Sequence, residues 1–173
     1  GEVFSSIPDG AYEQSSGTSM ATPQMAGVST IVLQRVQSDP LFASMSARQK
    51  ADVVQNLIMG TARPLTDAAQ TTGALYSPRK QGAGLVDALA ATTSSVYPTV
   101  VGAPEQSRPK ADLGDGTKGW HFDVTLHNLS GTAATYELSS QALSEIVDGG
   151  FFTQHSARSE ERRVGKECLR LCR

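Results

Sequence analysis

Between Met20 and Val36 apolar residues fall on nearly every face of a helix, and any fold of this chain must accommodate that first. Met20, Ala21, Met25, Ala26, Val28, Ile31, Val32, Leu33 and Val36 leave no continuous polar stripe. The spacing predicts a helix surrounded by a large core, not an amphipathic one lying on a surface. Pro23 stands at the edge of its first turn, where a missing backbone N–H costs little, and Ser38-Asp39-Pro40 ends it.

The flanking pattern is consistent with a packed domain. Val3 to Ile7 reads as a short strand running into a Pro8-Asp9-Gly10 turn. A second helix starts at Ser46, with Gln49 three residues on in the arrangement of a capping box, and Ala47, Ala51, Val54 and Ile58 keep helical spacing up to Gly60. Residues 61–84 read as loop, and Leu85 to Ala91 as a short third helix. Past Tyr97-Pro98 the texture changes. From Trp120 to Asn128, Trp120, Phe122, Val124 and Leu126 alternate with His121, Asp123, Thr125 and His127, which predicts a half-buried strand with its histidines toward solvent. Ala134 to Leu138 and Ala142 to Val147 are further strand candidates. Asp115-Gly116, Ser130-Gly131 and Gly149-Gly150 supply turns at the short spacing of a β-sandwich. These features place a domain boundary near residues 93–100.

Charge and cysteine usage narrow the function classes. Of 173 residues 39% are apolar and 18% charged, a globular balance. The last 18 residues hold six Lys or Arg against three Glu, which leaves nine basic against fourteen acidic residues, net −5, in the body. A mildly acidic body argues against a nucleic-acid partner. No apolar run approaches the roughly 20 residues of a membrane span. The opening at Gly1, a strand-like piece entering a turn, is expected of a chain cut from something longer. Cys168 and Cys172 both fall in the basic tail, and their C-x3-C spacing without partner ligands does not make a zinc site. That tail reads either as a basic interaction segment or, the favoured expectation, as foreign sequence after a native frame that ends near Ser156.

Three other signals reduce to turns or chance. Gly82-Ala83-Gly84 has Asp87 where a dinucleotide loop needs its third glycine. Asp112 to Gly116 lacks the closing glutamate of a calcium loop. Asn128-Leu129-Ser130 is a glycosylation triplet of a kind that arises by chance.

The chemistry-bearing stretch is Ser15 to Gly27, SSGTSMATPQMAG. A serine hydroxyl is a poor nucleophile unless a base takes its proton and donors await the oxyanion, and a helix start offers such donors as backbone N–H groups. Gly17 permits close backbone approach and Ala21 leaves space. A serine at a helix start is also the ordinary form of a cap, and spacing alone leaves both readings open.

The whole string, Gly17-Thr18-Ser19-Met20-Ala21-Thr22-Pro23 followed by Ala26-Gly27, resembles the nucleophile segment of the subtilisin-like serine proteases. Ser77 to Ala88, SPRKQGAGLVDA, is similar to the segment closing the catalytic domain in the large cell-envelope subtilases of the lactocepin and C5a-peptidase-like group, where a fibronectin-III-like sandwich comes next. The resemblance implies an α/β fold, with residues 1–92 the C-terminal part of a parallel-sheet peptidase domain. Residues 93–155 would be an incomplete all-β fibronectin-III-like sandwich and 156–173 a non-native or disordered tail.

It further implies that Ser19 is the acylated nucleophile and its backbone N–H one oxyanion donor. Gly17 and Thr18 would form the turn presenting it, and Met20 would pack behind it. The implied reaction is endopeptidase hydrolysis of a polypeptide substrate outside the cell or at its surface, with no cofactor, any calcium of the parent being unplaced, and with wall association through regions further on. Family order runs Asp, His, Ser. Here 18 residues precede Ser19 with no histidine among them, and the first asparagine is Asn56. The base and the side-chain oxyanion donor are therefore missing, and the fragment by itself is expected to be inactive. The alternative is a non-catalytic binding or structural module that uses its β-sandwich to contact partners.

Overall fold

A computed structural model describes residues 1–66, 75–101, 108–110, 122–139, 144–148 and 151–155. The chain opens with β1 (Val3–Ser6) and β2 (Tyr12–Ser15), an antiparallel hairpin in which Val3 faces Ser15 and Ser6 faces Tyr12. Its connection is the expected Pro-Asp-Gly turn, with Asp9 and Gly10 both left-handed at φ 65° and 72° and the Ile7 N–H donating to the Ala11 carbonyl at 2.9 Å. Tyr12-Glu13-Gln14-Ser15 has no apolar alternation, so β2 is visible only through its pairing. Phe4 and Tyr12 stack across the hairpin with ring centroids 5.4 Å apart.

The predicted long helix is α1 (Thr18–Ser38). Pro23 lies inside it, five residues beyond Thr18, so the helical bond that a residue-23 N–H would give the Ser19 carbonyl is absent. Asp39 closes the helix, its N–H bonding the Arg35 carbonyl at 3.1 Å, while its carboxylate accepts from the Leu41 N–H at 3.0 Å and turns the chain so that Phe42 enters the core. Burial is narrower than the sequence predicts. Val32 and Val36 are fully withdrawn from water, but Ile31 is 54% exposed.

Helix α2 (Ala47–Gly60) carries the capping box in full: the Ser46 hydroxyl accepts from the Gln49 N–H at 3.3 Å and the Gln49 side-chain carbonyl accepts from the Ser46 N–H at 2.9 Å. Its inward face is Val53, Val54, Asn56 and Leu57, whereas Ala47 and Ala51 of the expected stripe are exposed. The larger side chains decide the rotation, because two alanines withdraw too little area from water to compete with Val53 and Leu57.

Within residues 61–84 the described parts are less irregular than predicted. Arg63 and Leu85 exchange two backbone bonds of 2.8 Å, and Ser77 caps a short helix, α3 (Pro78–Gln81). Gly84 adopts φ 123° against the Arg63 carbonyl, where a side chain would collide with backbone. The third predicted helix begins three residues late, as α4 (Ala88–Thr93), because Leu85 is held in the bridge to Arg63 and Asp87 caps the helix by accepting from the Ala90 N–H at 2.9 Å. Arg35 of α1 reaches its far end, donating to the carbonyls of Ala91 at 2.8 Å and Ser94 at 2.5 Å.

Beyond α4 the described strands form ribbons. β3 (Val96–Val101) pairs antiparallel with β4 (Asp123–Asn128), placing Tyr97 opposite His127 and Val100 opposite Val124. β5 (Ser144–Asp148) pairs antiparallel with β6 (Phe151–His155), Asp148 opposite Phe151. Every strand pairing among the described residues is antiparallel and two-stranded. Residues 134–138, expected to be a strand, carry no ladder. Trp120, His121, Asp115-Gly116, Gly149-Gly150, Asp112 to Gly116 and the tail from Ser156 lie outside the described residues.

Strand β4 does not divide into one buried and one exposed face as predicted. Phe122, Asp123 and Val124 are exposed while Thr125, Leu126 and His127 are half-buried, because Tyr97, opposite His127, joins that end of the ribbon to the core. That core is Val32, Val36, Phe42, Val53, Val54, Leu57, Ala91 and Tyr97. Two substitutions test its weighting by thermal or urea unfolding followed by circular dichroism. Leu57→Ala, at a site without solvent exposure, should cost about 2–5 kcal/mol, and Ser46→Ala about 1 kcal/mol through loss of the cap; equal effects would contradict this assignment of the core.

Candidate active site

The hairpin β1–β2 delivers the chain to the start of α1, and the Ser16 hydroxyl ties the approach by accepting from the Glu2 N–H at 2.7 Å. Nothing in the adjacent serines signals this bond in advance, since it spans the hairpin. Gly17 comes next at φ 154°, ψ 174°, a conformation a side chain would strain. Its carbonyl accepts from the N–H groups of Met20 at 3.2 Å and Ala21 at 3.1 Å, so Gly17 is the helix cap.

Ser19 is therefore not a cap. It is the second helical residue, exposed, and its hydroxyl makes no hydrogen bond among the described residues. The backbone N–H groups of Thr18 and Ser19 also lack acceptors there, as the first turn of a helix requires. Exposed hydroxyl and unclaimed donors thus share one turn at the positive end of the helix dipole. Thr18 is exposed, with its carbonyl accepting from the Thr22 hydroxyl at 2.8 Å. Met20 is half-buried, and its sulfur lies 3.9 Å from the point a Cβ on Gly17 would occupy, directly behind the turn. Gly17, Thr18, Ser19 and Met20 are thus brought together by one local structure. Further along the same helix, Ala21, Met25 and Val28 open onto a groove of about 510 Å³ walled opposite by Ile58, Met59 and Leu85.

No base is brought to the hydroxyl among the described residues. His127 sits in β4 with its Nε2 2.9 Å from the Thr99 hydroxyl and its ring stacked on Tyr97. It is half-buried, contrary to the solvent-facing expectation, and burial holds its imidazole below the ordinary value while raising the Tyr97 phenol. Asn128 is likewise engaged. Its amide donates to the Thr132 carbonyl at 2.6 Å, and its carbonyl accepts from the Ser130 N–H at 2.9 Å. The described residues contain no cluster of three metal-ligating side chains and no helix long and apolar enough to cross a membrane.

Residues 2–84 match the subtilase family model. Over 151 residues, 87% of this chain, the sequence is 28% identical to a C5a peptidase of Streptococcus pyogenes serotype M1, of which that stretch is 12%. Over 154 residues it is 32% identical to a PII-type proteinase of Lactococcus lactis subsp. cremoris and equally to a PI-type proteinase of the same subspecies, 85% of this chain against 8% of each. The chain therefore spans a small part of the length of these relatives. The matched family, the peptidase names of its relatives and a turn that holds the serine motif in the open converge on one assignment: over residues 2–84 the chain belongs to the subtilase family of serine-type peptidases.

Proposed function

We propose that this chain carries the nucleophile segment of an extracellular or cell-surface serine endopeptidase, and that Ser19 is the residue acylated by a polypeptide substrate. The supporting observation is the state of Ser19: exposed, unbonded and at the second position of α1 because Gly17 takes the cap. In this reading Ser19 Oγ attacks the scissile carbonyl carbon, and its proton passes to a histidine supplied from outside residues 1–173 and then to the departing amine. The new ester is afterwards hydrolysed by water. The Ser19 N–H donates to the oxyanion, aided by the helix dipole, and Met20 with Gly17 holds the turn. A triad aspartate orienting the histidine and a side-chain oxyanion donor come from the same outside source.

Residues 1–92 are on this proposal the C-terminal part of the peptidase domain and 93–155 the opening of a fibronectin-III-like module. Wall association belongs to regions further on. No cofactor takes part. His127 does not replace the missing base, since Thr99 holds its Nε2 and Tyr97 covers its ring.

A fluorophosphonate probe tests the assignment. The chain alone should remain unlabelled for want of a base. When the portion of a subtilase domain bearing the Asp and His is supplied, Ser19 should be labelled and a Ser19→Ala variant should not. Labelling of the isolated chain at Ser19 would overturn the account of its inactivity, and labelling of the completed Ser19→Ala enzyme would overturn the choice of nucleophile.

A further inference from the structure

One cross-strand pair fastens the β3–β4 ribbon to the helices. Tyr97 lies in the core with Val32, Val36, Phe42, Val53 and Leu57. On its other side the ring stacks on His127, directly opposite in the ladder, with centroids 4.5 Å apart and planes 10° from parallel. Thr99, on the same face of β3, places its hydroxyl 2.9 Å from His127 Nε2. Leu129, just past β4, also leans on the core. The imidazole therefore sits where ribbon and core meet.

We propose that the Tyr97–His127 stack is an acid-operated fastener: when the imidazole takes up a proton, β4 opens away from β3 and the core while α1, α2 and α4 stay folded. Charging a half-buried ring costs free energy unless a carboxylate answers it, and none is seen to pair with it among the described residues. Asp123 shares the His127 face of β4 but lies four residues away, about 13 Å along the strand. On β3 the titratable group is the Tyr97 phenol, neutral and pushed further from ionisation by burial. Arg35 of α1, bonded to the carbonyls of Ala91 and Ser94, and Arg108, whose carbonyl accepts from the Val100 N–H, are like charges. Helix α2 has no titratable side chain from Val53 to Gly60, and α4 has none. Protonation also makes both ring nitrogens donors, so the Thr99 hydroxyl must turn to accept.

Burial lowers the folded imidazole below its ordinary 6.5. The opened ribbon consequently binds the proton more readily, so the fastener is strongest above that pH, weakens as pH falls through 6.5 toward the folded value, and weakens no further below it. The ribbon begins after residue 84, where the family match ends, so acid would loosen the joint between the peptidase segment and the strands beyond it. This rests on the β3–β4 geometry and not on the role of Ser19.

Hydrogen exchange on the full chain between about pH 8 and pH 5, corrected for intrinsic rates, reads the opening. Protection at Val124–Asn128 should fall relative to Val53–Leu57, tenfold for each unit by which the folded pKa lies below the unfolded one. His127→Phe, which keeps a stacked ring and removes the proton, should abolish that dependence. An unchanged ratio, loss of protection in both segments together, or the same pH dependence in His127→Phe would each overturn the proposal. Should His127→Phe fail to fold, the wild-type ring titrated by NMR decides instead: a value at or above 6.5 overturns the proposal and a lower one supports it.

Discussion

Val32 and Val36, one turn apart near the far end of α1, are wholly withdrawn from water and share a cluster with Phe42, Leu57, Ala91 and Tyr97. The buried valines, Leu57 and Phe42 each contribute roughly 1.5–3 kcal/mol through burial, and together they set the axis of a 21-residue helix. Ser19 is thirteen residues from Val32, about 20 Å along that axis. The serine end is therefore held at a distance by a rod whose anchorage lies at its opposite end, and the hairpin locates its start through the Ser16–Glu2 bond. An interruption of α1 between these regions would uncouple the serine turn from the core even if each survived.

Polar groups complete what the apolar cluster begins. Helix α4 has six residues, too few to be stable alone, and is held at both ends: Asp87 caps its start and pairs with Arg63 at 3.5 Å, while Arg35 collects carbonyls at its finish. A cation at a helix C-terminus is favourable, and here it also bridges into the turn before β3. The course of that turn brings Tyr97 under the helices. Asn56 is the discordant member: nearly fully buried on α2, its side-chain carbonyl oxygen has no partner among the described residues, which weakens the core that surrounds it.

What could be read in the sequence was local. The capping box at Ser46 and Gln49, the Pro8-Asp9-Gly10 turn and the Asp39-Pro40 stop each depend on a few adjacent residues, and each stands where the residues require. The misplaced start of α4 came from a competition invisible in the segment itself, since Leu85 reads as helical until Arg63 claims its backbone. Alternation in β4 identified the strand but not its burial, which changes along it and not across it: Asp123 and Val124 are exposed and Thr125 to Asn128 half-buried, the covered end being the one that faces Tyr97. The turn of Gly17 to Met20 was legible for the same reason as the caps, being fixed within four residues.

The same division separates the two halves of acyl-transfer chemistry. A helix start can hold a hydroxyl in the open and offer N–H donors to an oxyanion, and for this the local sequence suffices. It cannot remove a proton from an alcohol, which requires a base within hydrogen-bond reach, and such a group arrives by tertiary structure, not by neighbouring sequence. In this chain the described histidine whose side chain can be followed is spent on Thr99 and Tyr97. Recruiting His127 to Ser19 would require breaking the contact that holds the ribbon to the core. The chain can thus keep the fold around Tyr97 or lend that imidazole to a hydroxyl elsewhere, but not both.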